Sequence, residues 1–482
     1  MIASLKSRLF PQPRAALAHP GVALAGVAVV ALLAGCSYRV DDVETPVQLP
    51  PVWDASASPT AAKEVPNDWW TGFNSPLLEQ LVTEALAGSP TVVIAEERLK
   101  QAERALSGAR DDLFPDLSVN ASTGRTRSGG EDIPTTISSS TVASAQLRYD
   151  VDIWGGSAAR YRAQKATLLG TRYDLDATRL TLSANVAAQY FQLLSTRSRV
   201  QISRQNLAIA ERLLAITDSR FRNGVARALD LSQQTTQVLQ QRTALIQQEA
   251  QLRQLETSLG LLLGRTPQEF RIGGEPFEEL TVPEVAPWAP GELLLRRPDL
   301  AAAETDLSLA HANVAIARSS LLPGTLSFTA SGTAASAELL SFADAAKTFS
   351  LSGVLGVAES IFNFRAKRTT LLNAKSNEFI TLTNYAQTIR TALKDVDDSL
   401  ANVQTDQRRE ESQRAAVEQA ERALRLAELE YREGSGSQQE LLDAQRSQFT
   451  AQDLLSQIRL ARLISAVDLY VALGGGWSAP AN

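Results

Sequence analysis

Few residues of this chain could carry chemistry. Its single cysteine, Cys36, ends the run Leu33-Ala34-Gly35-Cys36, directly behind an apolar stretch from Val22 to Ala34. A thiol in this lipobox arrangement takes a diacylglycerol, and the new amino terminus is acylated once the preceding residues are removed. Each buried CH₂ contributes about 0.8 kcal/mol, so several acyl chains give stable anchoring. One cysteine allows no disulfide within the chain. Of two histidines, His19 precedes the cysteine and His311 falls in a helical pattern. That leaves no cluster of metal ligands and no base beside an activated nucleophile. Gly474-Gly475-Gly476 lacks the Lys and Ser/Thr of a phosphate loop and reads as a flexible exit from the last helix. No enzymatic activity, cofactor or metal is expected.

Residues 1–35 read as a signal peptide, with Lys6, Arg8 and Arg14 ahead of the apolar run. Ser37 follows the cysteine, and bacterial lipoproteins without Asp at that position go to the outer membrane. Residues 36–66, rich in Pro, Asp, Ser and Thr, read as an extended tether. The net charge is −6, becoming about −9 without the leader (44 basic against 53 acidic residues), which argues against electrostatic binding to nucleic acid. Hydrophobic residues at 44% and charged residues at 21% suit amphipathic helices. After residue 35 no segment is apolar enough for a transmembrane helix, so any crossing of a bilayer must be made by strands.

The positioning elements follow from an internal duplication with an offset of 208 residues. Ser89-Pro90 leads to Phe114-Pro115, as Arg297-Pro298 leads to Leu322-Pro323. The offset slips by two where Phe221-Arg222-Asn223-Gly224 matches Tyr431-Arg432-Glu433-Gly434. Each repeat reads as a helix, two short alternating segments, a very long helix, a glycine turn and a returning helix. The repeats span 67–265 and 291–473, joined by a linker at 266–290 and followed by a tail at 474–482. No Gly or Pro occurs between Gly170 and Gly224, or between Phe364 and Gly434. Helices of that length reach about 80 and 100 Å, which no compact globule holds. Leu245, Leu252 and Leu259 repeat at seven, a seam suited to coiled-coil packing.

Strands are expected at about 116–124, 142–153, 324–332 and 349–358, with polar or mixed loops at 124–141 and 333–347. Between Val142 and Ile153, Ala143, Ala145, Leu147, Tyr149 and Val151 share one face. Arg148, Asp150 and Asp152 share the other, as lumen-facing residues would. Four strands cannot close a barrel, and open sheet edges are not tolerated in hydrocarbon. The barrel must therefore be shared between chains. A lipid-anchored coiled-coil scaffold that spans nothing is the competing reading.

Trp69-Trp70 with Phe73, Ser89-Pro90, Leu295-Arg296-Arg297-Pro298-Asp299-Leu300 and Leu473-Gly474-Gly475-Gly476-Trp477 make the chain resemble the TolC/OprM-like outer membrane factors, in particular the NodT-type lipoprotein branch. The resemblance implies a mixed α and β membrane protein. It would be a homotrimer with a 12-stranded barrel, four strands per chain, continuous with a periplasmic barrel of helices. It implies an exit duct for a tripartite efflux system with a periplasmic membrane-fusion adaptor and an inner-membrane transporter of the RND type; the duct of a type I protein secretion system is the alternative. The glycine turns near 224 and 434 become periplasmic tips, and Arg222, Gly224, Arg432 and Gly434 match adaptor-contact positions. Glu440 and Asp443, six and nine residues after Gly434, match the acidic gate of the family. Three-fold gathering of these carboxylates would raise some of their pKa values. Ser437 and Glu440 also fit a helix capping box.

Overall fold

A computed structural model describes residues 47–50, 53, 65–268, 270–283, 290–322, 325–337, 349–358 and 363–479. Cys36, the leader and most of the tether lie outside the described residues. Those described contain seven helices: α1 (Pro76–Gly88), α2 (Pro90–Asp111), α3 (Gly156–Arg222), α4 (Ala228–Leu262), α5 (Pro298–Ser319), α6 (Phe364–Glu433) and α7 (Gln438–Ala472). Four strands accompany them: β1 (Asp116–Gly130), β2 (Ile133–Val151), β3 (Thr325–Ser336) and β4 (Phe349–Ala358). The order α2-β1-β2-α3-α4 recurs as α5-β3-β4-α6-α7. No helix among the described residues is long and apolar enough to cross a membrane.

Proline opens both α2 and α5, where a missing N–H costs nothing. The long helices α3 and α6 contain 67 and 70 residues, about 100 Å each. Gly170 does not interrupt α3. It permits close approach of α5, since a Cβ there would lie 3.1 Å from Thr305 Oγ1. On α4, Leu259 is buried and Leu252 and Leu255 pack against the main core, so the seam expected from the leucine spacing faces α3.

The helices lie side by side in two successive layers. Nearest the strands the order is α2, α3, α5, α6; farther away it is α4, α3, α7, α6. Arg179 of α3 reaches Glu96 of α2 at 2.9 Å in the first layer, and Arg199 reaches Asp453 of α7 at 2.6 Å in the second. The four strands form one antiparallel sheet in the order β1-β2-β3-β4. Its register continues one amphipathic pattern from strand to strand. Val119 lies opposite Ala145, Leu147 opposite Ala330, and Tyr149 opposite Phe328 on one face; Asn120 lies opposite Ser144 and Arg148 opposite Thr329 on the other. β4 keeps the same register, with Phe328 opposite Leu355.

Two expectations about loops are corrected. The 124–141 segment is strand rather than loop: β1 and β2 stay paired from Asp116↔Arg148 out to Gly130↔Ile133. Ser, Thr and Arg alternate there on a ladder satisfied by its own partner, and polarity alone does not prevent a two-stranded ribbon. At the other end β2 stops at Val151, short of Ile153.

The Gly474-Gly475-Gly476 segment is likewise no flexible exit. All three glycines have positive φ, and Cβ atoms there would lie 1.8 Å from the Arg296 carbonyl, 2.3 Å from Leu180 and 2.5 Å from Pro66. The turn is wedged against the Arg296-Arg297 motif, and only glycine fits it. Beside it Arg297, nearly buried, donates to the Ala472 carbonyl at 3.0 Å and holds Asp299 bidentately at 3.0 and 2.7 Å. Trp477 donates to Asp176 at 2.9 Å and meets Tyr173 edge-on. Next to these contacts sits the main core, where Trp69 stacks on Tyr470 at 5.3 Å and Phe73 meets Phe191 at 4.9 Å. The aromatic and glycine motifs thus form one packed belt around the middle of α3.

Candidate functional site

The two glycine turns have the same backbone construction. Gly224 and Gly434 adopt φ of 74° and 84°, conformations that L side chains resist. In the first turn the Arg220 carbonyl accepts from the N–H groups of Val225 at 2.8 Å and Ala226 at 3.2 Å. In the second the Glu430 carbonyl accepts from those of Ser435 and Gly436, both at 3.0 Å.

Their caps also match. The Arg227 N–H donates to the Asp230 carboxylate at 2.9 Å, and the Ser437 N–H donates to the Glu440 carboxylate at 2.7 Å. Asp230 and Glu440 are equivalent under the 210-residue offset that relates Gly224 to Gly434. Each is the third residue of its helix, satisfying an otherwise unpaired amide. The Ser437 amide, helped by the Ser437 hydroxyl, holds the Glu440 carboxyl below the usual carboxylate range. The arginine side chain beside Asp230 does the same there. In the single chain Glu440 is therefore shifted opposite to the rise expected from carboxylate crowding, and it serves as a cap.

Asp443 differs. Its equivalent in the first repeat is the neutral Gln233, so no shared structural duty requires an acid. It is exposed and accepts from the Gln439 side chain at 3.0 Å. Gln439, four residues earlier on the same helix, thus holds both Asp443 carboxylate oxygens.

Sequence reading also missed contacts that tie the hairpins together. The Arg220 guanidinium donates to the Tyr431 carbonyl and lies 4.6 Å from the centre of the Tyr431 ring. Thr217 and the Tyr431 hydroxyl approach at 3.4 Å, and the buried Gln438 donates to Gln234 at 3.2 Å. Arg212 pairs with Glu428 at 2.9 Å. Leu213, Leu424, Tyr431 and Leu441 form a small buried cluster behind these contacts. One signal in the sequence points to this link: Arg220 has Glu430 as its equivalent, so the repeats depart from each other at the turn itself.

The Arg222 side chain is 76% exposed and pairs with Asp218 one turn back on its own helix. Arg432 is exposed on the matching turn. At the opposite end of the molecule Arg148 and Asp150 form a same-face pair at 3.3 Å on the polar side of the sheet. Asp152 lies beyond β2 and accepts from the Ala158 N–H at 2.8 Å, closing the start of α3. No group of three or more His, Cys, Asp or Glu side chains that could hold a metal occurs among the described residues.

Comparisons with known proteins give a consistent result. The family model for outer membrane efflux protein matches residues 81–265 and 289–475. The pyoverdine export outer membrane protein OpmQ of Pseudomonas aeruginosa is 33% identical over 92% of this chain and 95% of its own. The toluene efflux pump outer membrane protein TtgC of Pseudomonas putida is 31% identical over 94% and 96%. Among solved structures, the outer-membrane channel OprN superposes with a TM-score of 0.81 at 25% identity, covering 92% of this chain and all of that one.

Proposed function

This chain belongs to the outer membrane efflux protein family, and from that premise we propose that three copies close head to tail into one continuous duct. An efflux channel of the outer membrane is a passive conduit, not an enzyme. The observation that carries the trimer is that every level of the molecule ends on the same two repeats. The outermost elements are β1, α2 and α4 of the first repeat on one side, and β4 and α6 of the second on the other.

Exposed apolar side chains gather on those edges. Val93 and Ile94 stand out from α2, Leu239 and Ile246 from α4, and Leu372 and Phe379 from α6, Phe379 being 70% exposed. Covering them, and pairing β4 with the β1 of a neighbour, is a heterologous contact that must close into a ring. Two copies would make eight strands, a barrel filled by its own side chains; three make twelve, with room for water. The lumen is then lined by the polar face carrying Arg148 and Asp150, and the apolar face meets lipid. Native mass spectrometry should give three chain masses, and planar bilayers should show stepwise conductance. A species of one or two chains without conductance would overturn the proposal.

Cys36 anchors each copy by its acyl chains. The helical tips reach into the periplasm, where Arg222, Gly224, Arg432 and Gly434 meet a membrane-fusion adaptor that couples the duct to an inner-membrane transporter of the RND type. Asp443, repeated three times about the axis, forms the narrow acidic entrance, and the Arg220–Tyr431 link holds the second hairpin inward until the adaptor engages. Site-directed cross-linking between residue 222 or 432 and the adaptor tests this docking; its absence would sink the assignment.

A further inference from the structure

We propose that Arg125 and Arg127 form a docking site for the phosphate groups of outer-leaflet lipids, on the outward face of the β1–β2 ribbon. The inference rests on the barrel reading above, and deepens it by naming what the ribbon touches. Pairing between β1 and β2 runs without a shift from Asp116 to Ser128, so residues two apart stay on one face. Leu117, Val119 and Ala121, the apolar and lipid-facing set, therefore continue directly into Thr123, Arg125 and Arg127.

The row Ala121, Ala143, Ala334 marks the top of the apolar band, and Thr123, Thr141 and Ser336 form the next row. The β2–β3 pairing reaches Thr141↔Ser336, and beyond it, among the described residues, the ribbon is paired only within itself and presents Arg125 opposite Ser139 and Arg127 opposite Ile137. At about 3.3 Å per residue and a strand tilt near 40°, the two arginine Cα atoms lie roughly 10 and 15 Å above that alanine row. Guanidinium groups on long stems bend back toward the interface from that height. The helices leave from the other end of the strands, so this is the side of the membrane away from the periplasm.

Charge and exposure point the same way. Both arginines are exposed, and among the described residues neither forms an ion pair. Above the Thr123–Thr141 row the ribbon's acidic residues are Glu131 and Asp132, at its turn beyond the arginines. The outward face thus runs from the apolar band to the arginine pair, with the exposed Ile137 beside Arg127 and Ile133 nearer the turn, so each guanidinium stands among apolar groups at the level of the anionic phosphates. Guanidinium groups two residues apart suit the forked recognition of phosphate oxygens.

The full-length protein in phosphatidylcholine nanodiscs doped with diphosphoryl lipid A, or with its dephosphorylated analogue, tests the proposal by native mass spectrometry of retained lipid. The wild type should retain the phosphorylated lipid selectively. R125Q/R127Q should bind it about 25-fold more weakly, a factor of about five for each basic group at an anionic surface, while R125K/R127K keeps most of the binding. Equal retention by wild type and R125Q/R127Q would overturn the site, as would displacement by millimolar inorganic phosphate, which marks a free-anion site. Single-channel conductance of R125Q/R127Q should match wild type; its loss in both proteins would instead refute the barrel reading itself.

Discussion

Helix α7 joins two regions built in opposite ways. At its C-terminal end the belt leaves no room: of three positive-φ glycines, Gly474 and Gly476 lie against backbone and Gly475 against the Leu180 and Trp69 side chains, and Arg297 holds the last carbonyl of the helix. Partway along α7, Arg459 at 2.8 Å and Arg462 at 2.9 Å reach the buried Glu410 of α6, which also takes Arg414 at 2.9 Å. Arg459 further donates to the carbonyls of Glu278 at 2.6 Å and Leu280 at 3.0 Å, fastening the linker between repeats to the helices. At the N-terminal end the same helix has an exposed cap, one glutamine pair and a share in a four-residue apolar cluster, while Arg220 of α3 fastens the end of α6 through Tyr431. Local opening takes place where buried apolar contacts are fewest. The gating proposed above, with opening at the tip and a fixed belt, needs this asymmetry.

G474A should have the largest effect. A Cβ at 1.8 Å from the Arg296 carbonyl, on a residue with φ of 86°, forces the belt apart. A loss above about 4 kcal/mol is expected, seen as absence of assembled protein in native mass spectrometry. Assembly at wild-type stability would show that the belt is not the rigid region.

E410Q comes next, at about 3–5 kcal/mol, because it leaves three arginines around a neutral group. Thermal unfolding reads this directly, and its pH dependence carries a sign. Burial alone would raise the Glu410 pKa, but hydrogen bonds and charge from Arg462 and Arg459 outweigh it and hold it below 4.5. The contribution is fully present above about pH 4.5 and is lost as the pH falls through the lower folded value. E410Q should lack that acid-side loss, and an identical acid profile in both proteins would contradict the assignment.

Y431A removes the ring under Arg220 and opens the small cluster at the tip, costing about 1–3 kcal/mol. Its signature is functional: conductance in planar bilayers should rise severalfold, whereas E410Q channels that assemble should conduct as wild type. The smallest effect on folding separates the two acids. D443N should weaken block by divalent cations with melting unchanged, and E440Q should leave the block in place; the reverse pattern would reassign the gate to Glu440.

Much of this molecule is written in local pattern. The duplication, the long helices and the paired glycine turns follow from spacing along the chain, because helix periodicity and backbone conformation are short-range properties. Alternation through Ala143, Leu147 and Val151 likewise marked a two-faced strand. The ribbon beyond Thr123 escaped notice because polar strand and polar loop share one composition, and only the Arg125↔Ser139 pairing distinguishes them. The spacing of Ser437 and Glu440 already offered a capping box, and the amide geometry at Ser437 bears it out, while Asp443 stays exposed beside Gln439.

What the sequence determined by itself is the repeated order of elements and the need for a partner strand at each sheet edge, since four strands cannot satisfy their own backbone in lipid. How distant segments meet is settled by tertiary packing alone: Gly474 against Arg296, Arg220 over Tyr431, and Arg459 and Arg462 on Glu410. Those contacts join residues from about 50 to more than 200 positions apart, and no local rule of spacing or propensity specifies such a pairing.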